Sequence, residues 1–427
     1  MPPGFPQAQV VIWSLAFLAT PGLILPAMYF RTNLRAGSDP QAIVWAMHAF
    51  RLFFITLTMT SIGMVALVIW DGMFPDRRDA RILTGLPLPA RLLIGARLLA
   101  LSALCGIFVV GVNIVPTIFY APTIAVFGGA ANLPLGVLGF VVANGLAGAF
   151  VFSALVALQG LVLNLGGRRA ADRLSLALQV SFVMVLLQMV LFMPRVAAML
   201  TADLKTGWVL ALPSVWFLGL YDVIGGRPVA GSPALAGMAL LATAATVGAA
   251  VLLFVATHDR LTRRALESRE IGGGRKGLTV ENLTQVLCRR PAARAVFEFT
   301  VKTLTRSRSH RLLMAIYVGG ALAFVASGIV PVALTDGLAG FTTPGVVLLS
   351  APLVISFFAL VGMRVALAIP VEPKANWLFR QSEPGDRPAA IDGVRAAMLV
   401  VGVVPTSLLA IITAGTLLGA WTALAHA

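Results

Sequence analysis

Nine apolar runs, each long enough to cross a bilayer, alternate with short polar segments along this chain. A spanning helix needs roughly 18 to 20 apolar residues. The runs are Ala8–Phe30, Leu52–Trp70, Leu98–Phe119, Leu135–Leu165, Leu174–Leu200, Ala234–Thr257, Leu312–Leu334, Gly345–Ile369 and Ala397–Leu424. Pro21 and Pro26 interrupt the first. Membrane helices tolerate such prolines because neighbouring helices satisfy the freed carbonyls. The fourth run exceeds the need, which predicts tilt or an irregular end. The pattern predicts an all-α, polytopic transmembrane bundle of about nine spans.

Composition agrees with the pattern. The 427 residues are 59% hydrophobic and 11% charged, with a mean hydropathy of +0.92. A soluble domain carries about 25% charge. The +15 net charge would suggest nucleic acid in a soluble protein. Here the basic residues cluster in loops, as expected of cytoplasmic segments that resist translocation, and no nucleic-acid partner is expected. Two cysteines, Cys105 and Cys288, exclude a disulfide framework and multi-cysteine metal sites. The N-terminus has no basic n-region, so the first run reads as a retained helix rather than a cleaved signal peptide.

Loop charge sets the predicted orientation. Asp71–Arg97 carries five arginines, and Gly166–Arg173 carries Arg168, Arg169 and Arg173. His258–Arg311 carries eleven arginines, two lysines and five acidic residues, a net of +8. Pro370–Ala396 carries Lys374, Arg380, Arg387 and Arg395. Tyr120–Pro134 has no charge, and Thr335–Pro344 has only Asp336. The alternation places the basic loops and the N-terminus in the cytoplasm. Arg31, Arg35 and Arg51 conflict with that scheme; either the first run is not a simple crossing or these arginines bind lipid headgroups.

Asp71–Arg97 has the most content. Pro75 suits the first turn of a helix and Asp76 its positive end. Gly85, Pro87 and Pro89 stop that helix, and the chain enters the next from Ala90. A short stiff helix here can transmit a push between a cytoplasmic partner and two spans. It can equally be a solvated charged turn.

The run Arg81-Ile82-Leu83-Thr84-Gly85-Leu86-Pro87-Leu88-Pro89, followed by Leu92-Leu93-Ile94-Gly95-Ala96-Arg97, resembles the first cytoplasmic loop of ABC-2 type exporter permeases. Leu86 and Pro87 match the leucine-proline pair of that pattern, and Gly95 and Arg97 its glycine and basic positions. The resemblance is strong over about 25 residues, and the order of spans fits the family through Thr257. It implies a multi-pass permease subunit of the bacterial inner (plasma) membrane. Asp76, Arg77, Arg78, Asp79, Arg81, Leu86 and Pro87 would dock on a separate ABC ATPase subunit. ATP and Mg would belong to that partner, with no cofactor, metal or catalytic site on this chain, which would act as a transporter subunit rather than an enzyme. A homodimer or a second permease would complete the assembly.

The loop after the eighth run partly repeats the first. Pro75 with Ala80-Arg81-Ile82-Leu83 aligns with Pro370 and Ala375-Asn376-Trp377-Leu378. Either the chain fuses two permease modules or two amphipathic turns coincide. The first alternative extends the docking role to Lys374, Asn376, Trp377 and Arg380. Trp377 and Phe379 otherwise serve as interfacial anchors. The resulting division is 1–257 as a six-span module, 258–311 as a basic linker with an amphipathic helix, and 312–427 as three further spans of a partial second module.

Within 258–311, Ile271–Gly277 reads as a flexible linker and lacks phosphate-loop spacing. Pro291–Arg308 reads as an amphipathic helix, with Val296, Phe297, Thr300, Val301 and Leu304 on one face and Glu298 four residues before Lys302. Such a helix before a span usually lies at the headgroups; the family has an elbow helix there. Leu212–Tyr221 is apolar and aromatic, and reads as a re-entrant or interfacial helix, an aromatic belt or a gate.

The four histidines form no metal pair, and no hydrolase motif stands out. The spans hold almost no acidic residues, whereas ion-coupled carriers usually need buried carboxylates. Arg195 and Arg364 are placed to snorkel. Asn113, Asn144, Asn164, Gln159, Gln179 and Gln188 are expected to join helices, each worth about 0.6 kcal/mol. The expected function is thus a permease subunit energised from outside the membrane. The alternatives are a secondary, ion-coupled transporter and a non-transporting scaffold.

Overall fold

The structure, a computed structural model, describes residues 20, 24, 40–74, 89–127, 130–202, 209–226, 228–229, 231–267, 288–337, 346–369 and 387–418. Among them are eleven α-helices and no strand. They are α1 (Pro40–Val68), α2 (Ala90–Phe119), α3 (Ala121–Phe127), α4 (Leu133–Ala202), α5 (Pro213–Ile224) and α6 (Ser232–Glu267). The remainder are α7 (Pro291–Arg306), α8 (Arg308–Asp336), α9 (Val346–Ala368), α10 (Arg387–Met398) and α11 (Val404–Leu418). Among the described residues eight apolar stretches are long enough to span a bilayer. The first predicted run, Ala8–Phe30, lies outside the described residues apart from Thr20 and Ile24.

The surface shows why these helices need lipid. On α2, Leu92, Leu99, Ile107, Val110, Ile114 and Ile118 are all at least half exposed. Water does not tolerate an apolar face of that extent. The chain is a multi-pass, all-α membrane protein.

Several boundaries differ from expectation. The predicted loop Gly166–Arg173 is helical, and α4 continues through it. Gly166 and Gly167 disfavour helix by only about 1 kcal/mol each, and the residues after them are good helix formers. Beyond Thr257, α6 extends ten residues further, to Glu267. The last predicted span begins early, because α10 starts at Arg387 and runs into a π-turn, Leu399–Val403, before α11. Pro405 has no N–H to give the Val401 carbonyl, and the Val404 N–H reaches back to Leu399 instead.

Contacts divide the chain into two units: Met1–Asp172 with Met189–Ser268, and Arg173–Gln188 with Arg269–Ala427. In the first, α1 is central, and 83% of its span is buried. Phe54 stacks edge-on to Phe140 at 5.5 Å and tilts against Tyr120 at 5.6 Å. Gly148 lets α4 approach α1 and α2: a Cβ there would stand 2.7 Å from Val109 and 3.3 Å from Ile62.

In the second unit α8 pairs with α9, and α7 with α10. The amphipathic pattern of α7 holds: Ala293, Phe297, Thr300 and Leu304 are buried, and Lys302 bonds Glu298 at 2.8 Å. Its apolar face packs on protein. Phe297 packs with Cys288, Ala389 and Ala397, and Gly393 of α10 sits so close to the Ala293 carbonyl that a Cβ would overlap it. The two helices α7 and α10 form a packed pair. Burial raises the Cys288 thiol pKa above its usual value, against the pull of nearby Arg294. Little thiolate exists at neutral pH, so Cys288 should resist maleimide in the native protein and react fully once denatured.

Candidate functional site

Two lone charges in apolar sequence find each other in the first unit. Arg51 lies in α1 with 3% of its side chain exposed, and Asp222 lies in α5 with 7% exposed. Arg51 Nη1 donates to Asp222 Oδ1 at 3.1 Å. The guanidinium also stacks over the Tyr221 ring, its Cζ 4.4 Å from the centroid. Ser232, at the start of α6, donates to Asp222 Oδ2 at 3.4 Å. One carboxylate thus ties α1, α5 and α6 together. Arg51 is not at a headgroup, and the near absence of acids from the apolar segments has this exception.

The helix that carries Asp222 is built for close packing. Pro213 opens α5 with the Leu212 backbone extended before it. Gly219 lies against α6, where a Cβ would come within 2.5 Å of Leu235 Cβ. Gly226 closes the helix at φ +78, a conformation that favours glycine. Ala131 donates to the Gly225 carbonyl at 2.8 Å. Trp216 donates to Leu210 O at 2.7 Å, and Phe150 packs against Trp216 and Phe217. Among the aromatics of α5, Phe217 and Tyr221 are fully buried in protein. Gly219→Val should lower stability by about 1–3 kcal/mol, measured by thermal unfolding in detergent.

Further along α1 runs a line of amides. Thr58 meets Asn113 of α2 at 3.0 Å and Asn144 of α4 at 3.1 Å. Gln159 bonds the Trp70 carbonyl, and Asn164 bonds Thr257. Ser153 donates to Thr246 at 2.9 Å. Helix joining, expected from these amides, is what Asn113, Asn144, Gln159 and Asn164 do. Gln179 is buried. Gln188 differs: both its amide atoms are buried with no hydrogen-bond partner among the described residues.

No family model, curated protein or solved structure matches the chain.

The expected docking residues Asp76, Arg77, Arg78, Asp79, Arg81, Leu86, Pro87, Lys374, Asn376, Trp377 and Arg380 all lie outside the described residues, as does the linker Ile271–Gly277. Two motif positions are described. Arg97 donates from Nη2 to the Gly72 carbonyl at 2.9 Å, tying the start of α2 to the turn after α1. A Cβ at Gly95 would meet nothing within 4 Å. Among the described residues no cluster of three His, Cys, Asp or Glu side chains could hold a metal.

The Arg51–Asp222 pair escaped the sequence reading because its partners stand 171 residues apart. The available signal was stoichiometric. A single arginine inside an apolar helix and a single aspartate inside another each need an opposite charge.

Proposed function

We propose that the chain is the membrane-spanning permease subunit of an ATP-driven exporter of the ABC-2 type. A separate ATPase would dock on the loops around Asp76–Pro87 and Lys374–Arg380 and supply ATP and Mg. The assembly would sit in a bacterial inner membrane with the N-terminus and basic loops in the cytoplasm. A homodimer or a second permease would complete the translocation path.

One observation carries this reading. Among the described residues, seven of the eight apolar spans contain no Asp or Glu, and the remaining one has only Asp392 near its start. The one buried acidic side chain among the described residues, Asp222, is bound to Arg51. A proton- or sodium-driven carrier usually works through a carboxylate that alternates between partners; a subunit moved from outside needs none. The resemblance of Arg81–Arg97 to the docking loop supplies the partner.

Affinity capture of the tagged chain from its native membrane tests the proposal. A Walker-motif ATPase should co-purify with the wild type and be lost from the Arg77→Ala, Arg78→Ala, Arg81→Ala triple variant. Capture without any ATPase, or undiminished capture by the triple variant, would refute the docking role.

A further inference from the structure

The node between α1, α2 and α4 has more acceptors than protons. Thr58 has a single hydroxyl proton, and three oxygens surround it: Phe54 O at 2.9 Å, Asn113 Oδ1 at 3.0 Å and Asn144 Oδ1 at 3.1 Å. The amide orientations are fixed from behind. Asn113 Nδ2 donates to Val109 O at 2.9 Å, and Asn144 Nδ2 to Phe140 O at 2.8 Å. Turning either amide would press its oxygen against a helix carbonyl. Among the described residues no other donor reaches these oxygens. Thr58, Asn113 and Asn144 are 1%, 7% and 1% exposed, so bulk water cannot relieve the shortage. A buried acceptor without a donor costs about 1–3 kcal/mol.

We propose that Thr58, Asn113 and Asn144 bind a small monovalent cation. With the Thr58 proton given to Phe54 O, the Thr58 hydroxyl oxygen is left as an acceptor beside both amide oxygens. Uncharged oxygens of this kind suit hard cations. Oxygens about 2.4 Å from an ion and 3.1 Å apart subtend roughly 80° at it, close to the right angles of ordinary coordination. Charge selects the class. Among the described residues no carboxylate joins the node, and the cost of burying an ion rises with the square of its charge, which disfavours a divalent ion. The buried charges Arg51 and Asp222 of the same unit pair with each other. The ion would pin three helices contributed by Thr58, Asn113 and Asn144. This holds whether or not the chain works with an ATPase.

Thermal unfolding of the purified full chain in detergent tests the site, with sodium or potassium chloride replacing N-methylglucamine chloride at constant ionic strength. The proposal expects a saturable rise in Tm with one of the small cations. Thr58→Val combined with Asn144→Leu should abolish it. Should that pair fail to fold, Asn144→Asp serves instead: the added charge should tighten the apparent affinity roughly tenfold or more. Equilibrium binding of radioactive sodium or rubidium should give a single ion per chain. A Tm equal in all salts with no bound ion would overturn the proposal and leave a bridging water as the donor. A saturable shift that survives in the double variant would overturn it too.

Discussion

Arg51→Leu is expected to destabilise the first unit by about 3–5 kcal/mol, because it leaves the Asp222 carboxylate buried without its cation. Asp222→Leu should cost a similar amount, by removing the carboxylate that balances the buried guanidinium. The double variant, Arg51→Leu with Asp222→Leu, should be more stable than either single one. The pair's attraction is largely offset by the cost of taking two charges out of water, so removing both charges together loses little. Arg51→Lys should rescue only in part: an ammonium keeps the charge but loses the flat stacking over Tyr221. Thermal unfolding in detergent gives all four values. Additive losses in the double variant would show that the two residues act separately.

The second large effect is expected at Gly393. Its Cα lies against the Ala293 backbone, where the obstacle is a carbonyl rather than a flexible side chain. Gly393→Val must therefore push α10 off α7. Overpacking of this kind costs about 1–3 kcal/mol. The displaced helix would uncover Cys288, which shares a core with Phe297, Ala389 and Ala397. Maleimide labelling at neutral pH should be slow in the wild type and markedly faster in Gly393→Val. Wild-type labelling as fast as that of the unfolded chain would contradict the packing of this helix pair. As an internal control, Lys302→Ala should leave Cys288 unchanged, since an exposed i,i+4 pair contributes only about 0.3–0.5 kcal/mol.

Much of this architecture is legible in the sequence. Apolar length alone locates the spans that fall among the described residues, because a bilayer forces each to satisfy its own backbone hydrogen bonds. The stripe on α7 is likewise readable from the spacing of Phe297, Thr300 and Leu304, and so is its Glu298–Lys302 pair. What covers that stripe is not readable. The spacing does not name α10 as the partner, and the close approach of α10 at Gly393 is a long-range feature. Loop boundaries fail for a related reason. Arginines after Gly166 mark a polar segment, yet arginine forms helix well, so polarity does not end α4. The charged site is not legible because pairing is a long-range event: Arg51 and Asp222 stand 171 residues apart in the chain.

Cysteine accessibility at position 78 tests the central claim, that a cytoplasmic lever between α1 and α2 receives work from an ATPase. The native cysteines are both buried and give little background. With Arg78→Cys, a membrane-impermeant maleimide should label inverted vesicles and spare intact cells. Adding back the partner ATPase should then protect the site. Labelling from the outside of intact cells, or labelling that the ATPase leaves untouched, would contradict the account.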